Sequence, residues 1–545
     1  MEHVLSVPRY ITSFDTTKME AKETEVLIVG SGVSGLFAAE RAVQKARVVL
    51  VTKEKLEESN TNYAQGGIAV VMNQGDTEES HVADTLKAGS GLCDERIVRL
   101  VVHEGPARVQ DLISWGAKFD TEGGKLHFTR EGGHSISRIV HAAGDATGRE
   151  VQHVLGERIK SLASGRMKGR LDLLEGYFLI DLLTSQGECV GAILADGTGK
   201  RRVVWARTVI LATGGAGCVY RETTNPPVAT GDGISCAYRA GAPVMDMEFM
   251  QFHPTTLYIA GATRVLITEA VRGEGGLLRD RNGVRFMPLY HPLAELAPRD
   301  VVSRAILKQM QDIGDTHVYL DLRHLNARKI HKRFPFITEV CAGFHLDIAK
   351  DLIPVRPAAH YYLGGIRVDE NGRSGLAGLF AAGEGAATGL HGANRLGSNS
   401  ILEGMVFGSR TGQAAAAYAA DLKEISRPKL KNKVDQGQFR SFAIDVNDAR
   451  ASLRALMWRQ VGIERNGPAL SAALERLEFW SSYMLGKEFA DRNAWELQNM
   501  LLVARLATLA ARLRCETRGV HYRTDNPDRD DKNWLRHISY HVRKK

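Results

Sequence analysis

Glu25-Val-Leu-Ile-Val-Gly-Ser-Gly-Val-Ser-Gly-Leu-Phe-Ala-Ala-Glu40 decides the fold. An apolar strand runs into a Gly-x-Gly-x-x-Gly turn at Gly30, Gly32 and Gly35, and an amphipathic helix follows. In a dinucleotide site these glycines allow, in turn, a tight turn, close approach of a pyrophosphate, and close packing of helix on strand. Ser31, Val33 and Ser34 fill the turn, where helix-start N–H groups favour an anion. Arg47-Val-Val-Leu-Val-Thr52 supplies a second parallel strand after a helix of fitting length. The residue that bonds the adenosine ribose about 20 positions further on is normally acidic. Here that place holds Thr52-Lys53-Glu54, so Lys53 marks a variant arrangement.

Four more glycine-rich elements follow, and those at 208–217, 229–234 and 379–397 converge with the first turn on one extended ligand. Ser59-Asn-Thr-Asn-Tyr-Ala-Gln-Gly-Gly-Ile-Ala69 is polar, then Gly-Gly, then apolar, and it suits either a helix-capping loop or hydrogen bonding to a flat ring through Asn60, Thr61, Asn62, Tyr63, Ala64, Gln65, Gly66 and Gly67. Thr208-Val-Ile-Leu-Ala-Thr-Gly-Gly-Ala-Gly217 is a strand ending in glycines, and Ala229 to Ile234 adds Asp232, suited to a sugar or ribityl hydroxyl. Finally, the strand Leu379 to Ala382 enters Gly383 and Glu384, and a Gly-rich loop carries Arg395 to a helix start at Ser398, Asn399, Ser400 and Ile401. A plain NAD domain does not need this last element; FAD does.

At 545 residues, with 44% hydrophobic and 25% charged content, the chain is long enough for about three domains with large cores. No run approaches the roughly 18 apolar residues of a membrane span. Residues 1–23, with Glu2, Asp15, Glu20 and Glu23, lack a signal-peptide core; they are expected to be a flexible extension, and the protein to be cytoplasmic. Six cysteines occur singly, which argues against a zinc or iron–sulfur site and against a disulfide framework. The net charge of +8 is spread along the chain, with modest clusters at 427–433 and 543–545. That pattern speaks against nucleic acid and suits a small dianionic substrate.

The ordered series Ala64-Gln-Gly-Gly-Ile-Ala69, Gln251-Phe-His-Pro-Thr255, Thr268-Glu-Ala-Val-Arg-Gly-Glu-Gly-Gly276, Pro298-Arg-Asp300, His360-Tyr-Tyr-Leu-Gly-Gly365 and His391 to Ser400 resembles the succinate dehydrogenase/fumarate reductase flavoprotein superfamily, over about residues 24 to 420. Within it the chain is most similar to the branch that oxidises L-aspartate. Arg130-Glu-Gly-Gly-His134, Leu296-Ala-Pro-Arg-Asp300 and Thr388-Gly-Leu-His391 carry that likeness. The membrane-complex relatives bond FAD covalently through a His four residues before the Ala-Gln-Gly-Gly segment. This chain has Asn60 there, which implies noncovalent FAD.

The resemblance implies that His253, Thr268, Arg272, His360 and Arg395 hold the carboxylates of a four-carbon substrate, and that Glu131 faces its ammonium. It also places Arg299 in proton transfer. Because guanidinium stays protonated in ordinary settings, Arg299 is better taken as an electrostatic stabiliser within a relay that includes Glu269 or Arg272. The implied reaction is oxidation of L-aspartate to iminoaspartate, with reoxidation by O2 to hydrogen peroxide or by fumarate to succinate. This would be the first step of de novo NAD biosynthesis, with quinolinate synthase as a possible transient partner. Two other readings stand beside it: a fumarate reductase or succinate dehydrogenase flavoprotein subunit, and a flavin-binding interaction subunit.

The expected fold class is α/β. A Rossmann-like FAD-binding domain (24–246 and 362–428) is interrupted by an α+β capping domain (247–361) and followed by a C-terminal helical domain (429–545). In the cap, Asn282-Gly283 predicts a hairpin turn and the spacing predicts a helix over 297–311. In the tail, amphipathic spacing predicts helices over 445–456, 469–485 and 494–513, with no visible chemistry.

Overall fold

The computed structural model describes residues 2–262, 264–434 and 443–542; the basic cluster 543–545 lies outside them. Its central sheet places the strands in the order Leu171–Glu175, Val48–Thr52, Glu20–Val29, Arg201–Leu211, Glu188–Ala195, Phe178–Ser185, and Leu379–Ala381 also pairs with Arg201–Leu211. Register is set by apolar pairs such as Val26 opposite Val48 and Leu211 opposite both Val29 and Ala381. The pairs among Leu171–Glu175, Val48–Thr52, Glu20–Val29, Arg201–Leu211 and Leu379–Ala381 are all parallel. Strands buried on both faces need continuous apolar runs, and Val48 to Thr52 is buried at every position.

The helices Val33–Ala42 and Asn399–Asp421 lie against each other. A Cβ at Gly408 or Gly412 would come within 2.5 Å of backbone oxygens of Ser34 and Ala38, so the two helices meet backbone to backbone. This contact brings the first glycine turn against the loop of Arg395, although the two are far apart in sequence.

The cap is a four-stranded antiparallel sheet, Met250–Leu257, Ile353–Tyr362, Val318–Asp321 and Leu277–Arg279, covered by the helix Arg299–Ile313. Val302, Ile306, Leu278, Leu320 and Val355 form its core. The expected turn at Asn282-Gly283 is present, closed by the Asp280 amide donating to the Val284 carbonyl at 3.0 Å.

Two expectations change. Residues 2–23 are not a flexible extension: Glu2–Val4 pairs in parallel with Ser539–His541, and Phe14–Asp15 pairs with Lys431–Asn432. Leu5, Ile11, Thr12 and Phe14 are buried, and the Ile11 amide donates to Asp181 at 2.9 Å. These anchors are too widely spaced to show a periodicity. The tail helices Val446–Gln460, Gly467–Met484 and Arg492–Leu513 form as expected. They do not build a separate core, because Leu456, Leu501 and Leu506 pack in one cluster with Tyr220, Tyr238 and Phe252 of the preceding domains.

Candidate active site

All four principal parallel strands end at one cleft, as the carboxyl edge of such a sheet requires. Val29 leads to Gly30, Thr52 to Lys53, Leu211 to Ala212, and Ala381 to Ala382, and each of these successors lines the same cavity. Its lining runs from the turn at Gly30 and the strand end at Lys53 to Arg299 and Arg395, an extent that suits a dinucleotide with a substrate beside it. Gly30 has φ +114°, and a Cβ there would sit 2.0 Å from the Ala212 carbonyl oxygen. At Gly35 a Cβ would sit 1.9 Å from the Gly30 oxygen, so Gly35 packs inside the turn and not on the cavity wall. Gly32 is open, with nothing nearer to such a Cβ than Thr61 Oγ1 at 3.5 Å.

Thr61 Oγ1 accepts from the Val33 amide at 3.0 Å, tying the second loop to the first turn. Asn60 Nδ2 donates to Glu384 at 2.8 Å, and the Tyr362 amide donates to the other carboxylate oxygen at 2.9 Å. Burial pushes the Glu384 carboxyl up, while these donors hold it down in part. Asn60 Oδ1 and Gln65 Oε1 are buried without a hydrogen-bond partner. Unpaired acceptors on a wall of small residues fit a flat ligand with N–H donors and close backbone approach, as an isoalloxazine ring has. Thus the residues present fit FAD. Lys53 and Asp232 stand together on the wall, paired at 2.7 Å.

At the other end the sheet edge gives way to charge. Arg299, at the start of its helix, donates Nε to Glu269 at 2.6 Å and Nη1 to Gln251 Oε1 at 3.2 Å. Arg395 donates Nη2 to the same Gln251 oxygen at 3.1 Å and Nη1 to Ser400 at 2.7 Å. Its guanidinium stacks 4.3 Å from the centroid of Tyr361, whose hydroxyl donates to Glu403 at 2.9 Å. The imidazoles of His253 and His360 meet edge to face with centroids 5.2 Å apart. His253 Nδ1 lies 3.3 Å from the Thr255 amide, and its Nε2 is buried without a partner.

The electrostatics follow from burying two arginines together. Burial and neighbouring Arg299 lower the Arg395 guanidinium to about 10, so it stays charged at neutral pH. Burial, with Arg299 and His360 nearby, holds His253 well below the ordinary histidine range; burial with Arg395 does the same for His360. Both imidazoles are therefore neutral. Burial alone would raise Glu269, but Arg299 and Arg272 outweigh it and keep this acid below its usual value. Glu131 goes the other way, raised by burial and by the Glu269 charge. A dianion between Arg299 and Arg395 would relieve their mutual repulsion.

His253, Thr268, Glu269, Arg299, His360 and Arg395 all line the cavity. Glu131 and Arg272 are one layer back. Glu131 Oε2 accepts from Ser398 at 2.8 Å, and its Oε1 is buried without a partner. A Cβ at Gly397 would lie 3.2 Å from Glu131 and 3.1 Å from Arg299, so only a glycine separates this acid from the arginine. Arg272 donates Nη1 to the Glu295 carbonyl and keeps Nη2 3.7 Å from Glu269. Of the expected flavin contacts, Asn62 and Gly35 are off the wall, whereas Ser31, Val33, Ser34, Tyr63, Ala64, Gly66, Gly67 and Ile401 are on it. Ser398 lines the wall too, at φ +62°, a conformation costly for a side chain and held by its bond to Glu131.

Sequence reasoning gave Gln251, Tyr361 and Thr224 no role. Gln251 bridges both arginines, and Thr224 bonds His360 Nδ1 at 2.8 Å. Gln251 lay within a quoted motif, two residues before His253, and that neighbourhood was the available signal.

The family described as "FAD binding domain" matches residues 25–401, and "Fumarate reductase flavoprotein C-term" matches residues 450–545. The chain is 45% identical to L-aspartate oxidase of Streptomyces coelicolor, over 94% of this chain and 90% of that protein. It is 42% identical to L-aspartate oxidase of Pseudomonas aeruginosa, over 92% of this chain and 96% of that one. Among solved structures, E. coli quinol fumarate reductase superposes with a TM-score of 0.86 at 34% identity, covering 95% of this chain and 94% of that chain. No helix among the described residues is long and apolar enough to cross a membrane. With a glycine-lined dinucleotide cleft opening onto paired arginines, and with these relatives along nearly its whole length, the chain belongs to the L-aspartate oxidase family of the succinate dehydrogenase/fumarate reductase flavoproteins, and FAD is its cofactor.

Proposed function

We propose that the chain oxidises L-aspartate to iminoaspartate, the entry reaction of de novo NAD biosynthesis. The observation that carries this reading is the charge pattern at the substrate end. Two arginines, Arg299 and Arg395, share one amide oxygen on the cavity side, and the buried acid Glu131 stands behind Gly397 with one oxygen unpartnered. With Glu269 already engaged by Arg299, the two arginines suit the carboxylates of an α-amino dicarboxylate and Glu131 is the acid left for its ammonium; succinate has no group for that acid.

Bound FAD supplies the two-electron acceptor. The chain's residues orient and stabilise. Arg395, kept in place by Ser400 and Tyr361, grips one carboxylate, and neutral His253 and His360 serve as hydrogen-bonding groups rather than extra charges. Arg299 stabilises charge near Cα, and its pairing with Glu269 and thence Arg272 offers a proton route that leaves each guanidinium charged on average. Glu131, one layer behind the wall across Gly397, acts on the substrate ammonium through its charge. With FAD bound, O2 or fumarate would serve as the final electron acceptor; the similarity to quinol fumarate reductase supports fumarate, a dicarboxylate for which Arg299 and Arg395 suffice. Iminoaspartate is unstable in water, which favours transient contact with quinolinate synthase.

Purified protein assayed for hydrogen peroxide with L-aspartate, D-aspartate and succinate tests the reading. Turnover with L-aspartate alone is expected; turnover with succinate and none with L-aspartate would overturn it. Acid precipitation should leave the yellow colour in the supernatant, because Asn60 offers no covalent attachment.

A further inference from the structure

We propose that the C-terminal helix Arg492–Leu513 completes the adenosine end of the FAD site, with Glu496 and Asn499 as positioning residues that set Lys53 and Asp232. In the generic dinucleotide fold, an acid at the end of the second strand bonds the adenosine ribose. This chain has Lys53 there, and the acid comes instead from Asp232, at the start of the helix Asp232–Ala240. Both side chains line the cavity.

Each is held from behind by the tail. Lys53 Nζ donates to Glu496 at 3.0 Å and to Thr230 at 2.9 Å, in addition to its bond with Asp232. Arg492 Nη1 donates to the Lys53 carbonyl at 3.0 Å, fixing the backbone where the strand ends. Asn499 Nδ2 donates to Asp232 Oδ1 at 2.8 Å, and its own Oδ1 accepts from Arg239, on the same helix as Asp232, at 2.7 Å. Glu496 is only 3% exposed and is bonded by Arg492 and Arg450 at 3.0 Å each.

A buried carboxylate with three cationic donors has one place to be, and removing it leaves those donors short of a partner. The Lys53 ammonium would then have Asp232 as its one anionic partner beside the neutral Thr230 hydroxyl, and would draw more strongly on the lone pairs that a sugar hydroxyl would use. FAD affinity should therefore depend on residues more than 430 positions from the glycine turn. The inference rests on FAD being the ligand of the cleft.

The test uses the full-length apoprotein and measures the FAD dissociation constant by quenching of flavin fluorescence. Glu496→Gln and Asn499→Ala are each expected to weaken FAD about ten-fold or more. Adding Glu496→Gln to Lys53→Gln should cost less than the product of the single effects, because both act on one contact. Glu475→Gln, at an exposed position on the neighbouring helix, should bind as wild type. The melting temperature of each apoprotein is recorded beside these constants. The proposal is overturned if Glu496→Gln and Asn499→Ala bind FAD within two-fold of wild type, or if their weakening merely follows a lowered apoprotein melting temperature. Failure of the wild-type protein to take up FAD would instead remove the cofactor reading, and this inference with it.

Discussion

The two ends of the cleft are built on opposite terms. At the pyrophosphate turn the protein offers shape: Gly30 and Gly35 let backbone fold upon backbone, Gly32 leaves the surface open, and the close contacts lie within six residues of each other or against the end of the adjacent strand. At the substrate end it offers charge, and the partners come from far apart. Gln251, Glu269, Arg299 and Arg395 meet in one network, with Glu131 reaching it across Gly397. Shape recognition is local in sequence and therefore stiff and unforgiving. Charge recognition is assembled, so single members can be removed with graded effects.

The largest expected effect is at the turn. In Gly35→Val the Cβ alone would overlap the Gly30 carbonyl, 1.9 Å away, with no flexible side chain to yield. Overpacking of this kind costs about 1–3 kcal/mol even where neighbours can move, and here they are backbone. The purified variant should carry no flavin. A yellow protein with wild-type flavin content would show that the turn is looser than its geometry.

Arg299→Leu breaks the other end and spares the turn. Flavin content should be unchanged, while kcat/KM for L-aspartate falls by about 10³-fold, the scale seen when a preorganised charge is removed from a dry site. Retained flavin with lost turnover is what distinguishes charge from shape. If flavin were lost as well, the two ends would not be separable.

Glu131→Gln is gentler and tests specificity. L-Aspartate oxidation should drop about 100-fold in kcat/KM, whereas fumarate reduction by chemically reduced enzyme should stay within a few-fold of wild type, because fumarate has no ammonium. Equal losses for both substrates would make Glu131 a structural support for Ser398 and nothing more.

The same contrast explains what could be read from the sequence. The glycine turns, the strands leading into them and the helix start at Ser398 are short patterns with local causes, and the structure has them where expected. The members of the charge network were legible because each sits in a motif, but their pairing was not. Nothing in the residues near Gln251 says that its oxygen serves both Arg299 and Arg395. Likewise Ser398 is on the cavity wall, where a flavin contact is expected, but nothing near it in sequence says that its hydroxyl donates to Glu131. The ordered N-terminal segment was missed for a related reason: Ile11 and Phe14 are buried against the strands around Phe178 and Trp205, partners more than 150 residues away.

The last effect concerns pH and is read in stability rather than turnover, and it also belongs to the charged end. His81 bonds Asn399 at the helix start, His134 Nε2 donates to the Gly397 carbonyl while its Nδ1 faces Arg138, and His141 bonds Thr129 beneath the Gly67 loop. Burial, above all, lowers His81 and His134 to about 4 and His141 to about 3, from an ordinary value of 6.5. Between those values the unfolded chain holds protons that the folded chain does not. Stability should therefore be full above about pH 6.5 and decline as the pH falls toward 4, by up to about 1.4 kcal/mol per pH unit for each histidine. Urea unfolding at a series of pH values across that window measures the slope. His134→Gln should lower it by about one proton, because a glutamine amide can still donate to Gly397 but cannot titrate. An unchanged slope would mean that His134 is already protonated in the folded chain, and Arg138, 3.2 Å from its Nδ1, is the reason to expect otherwise.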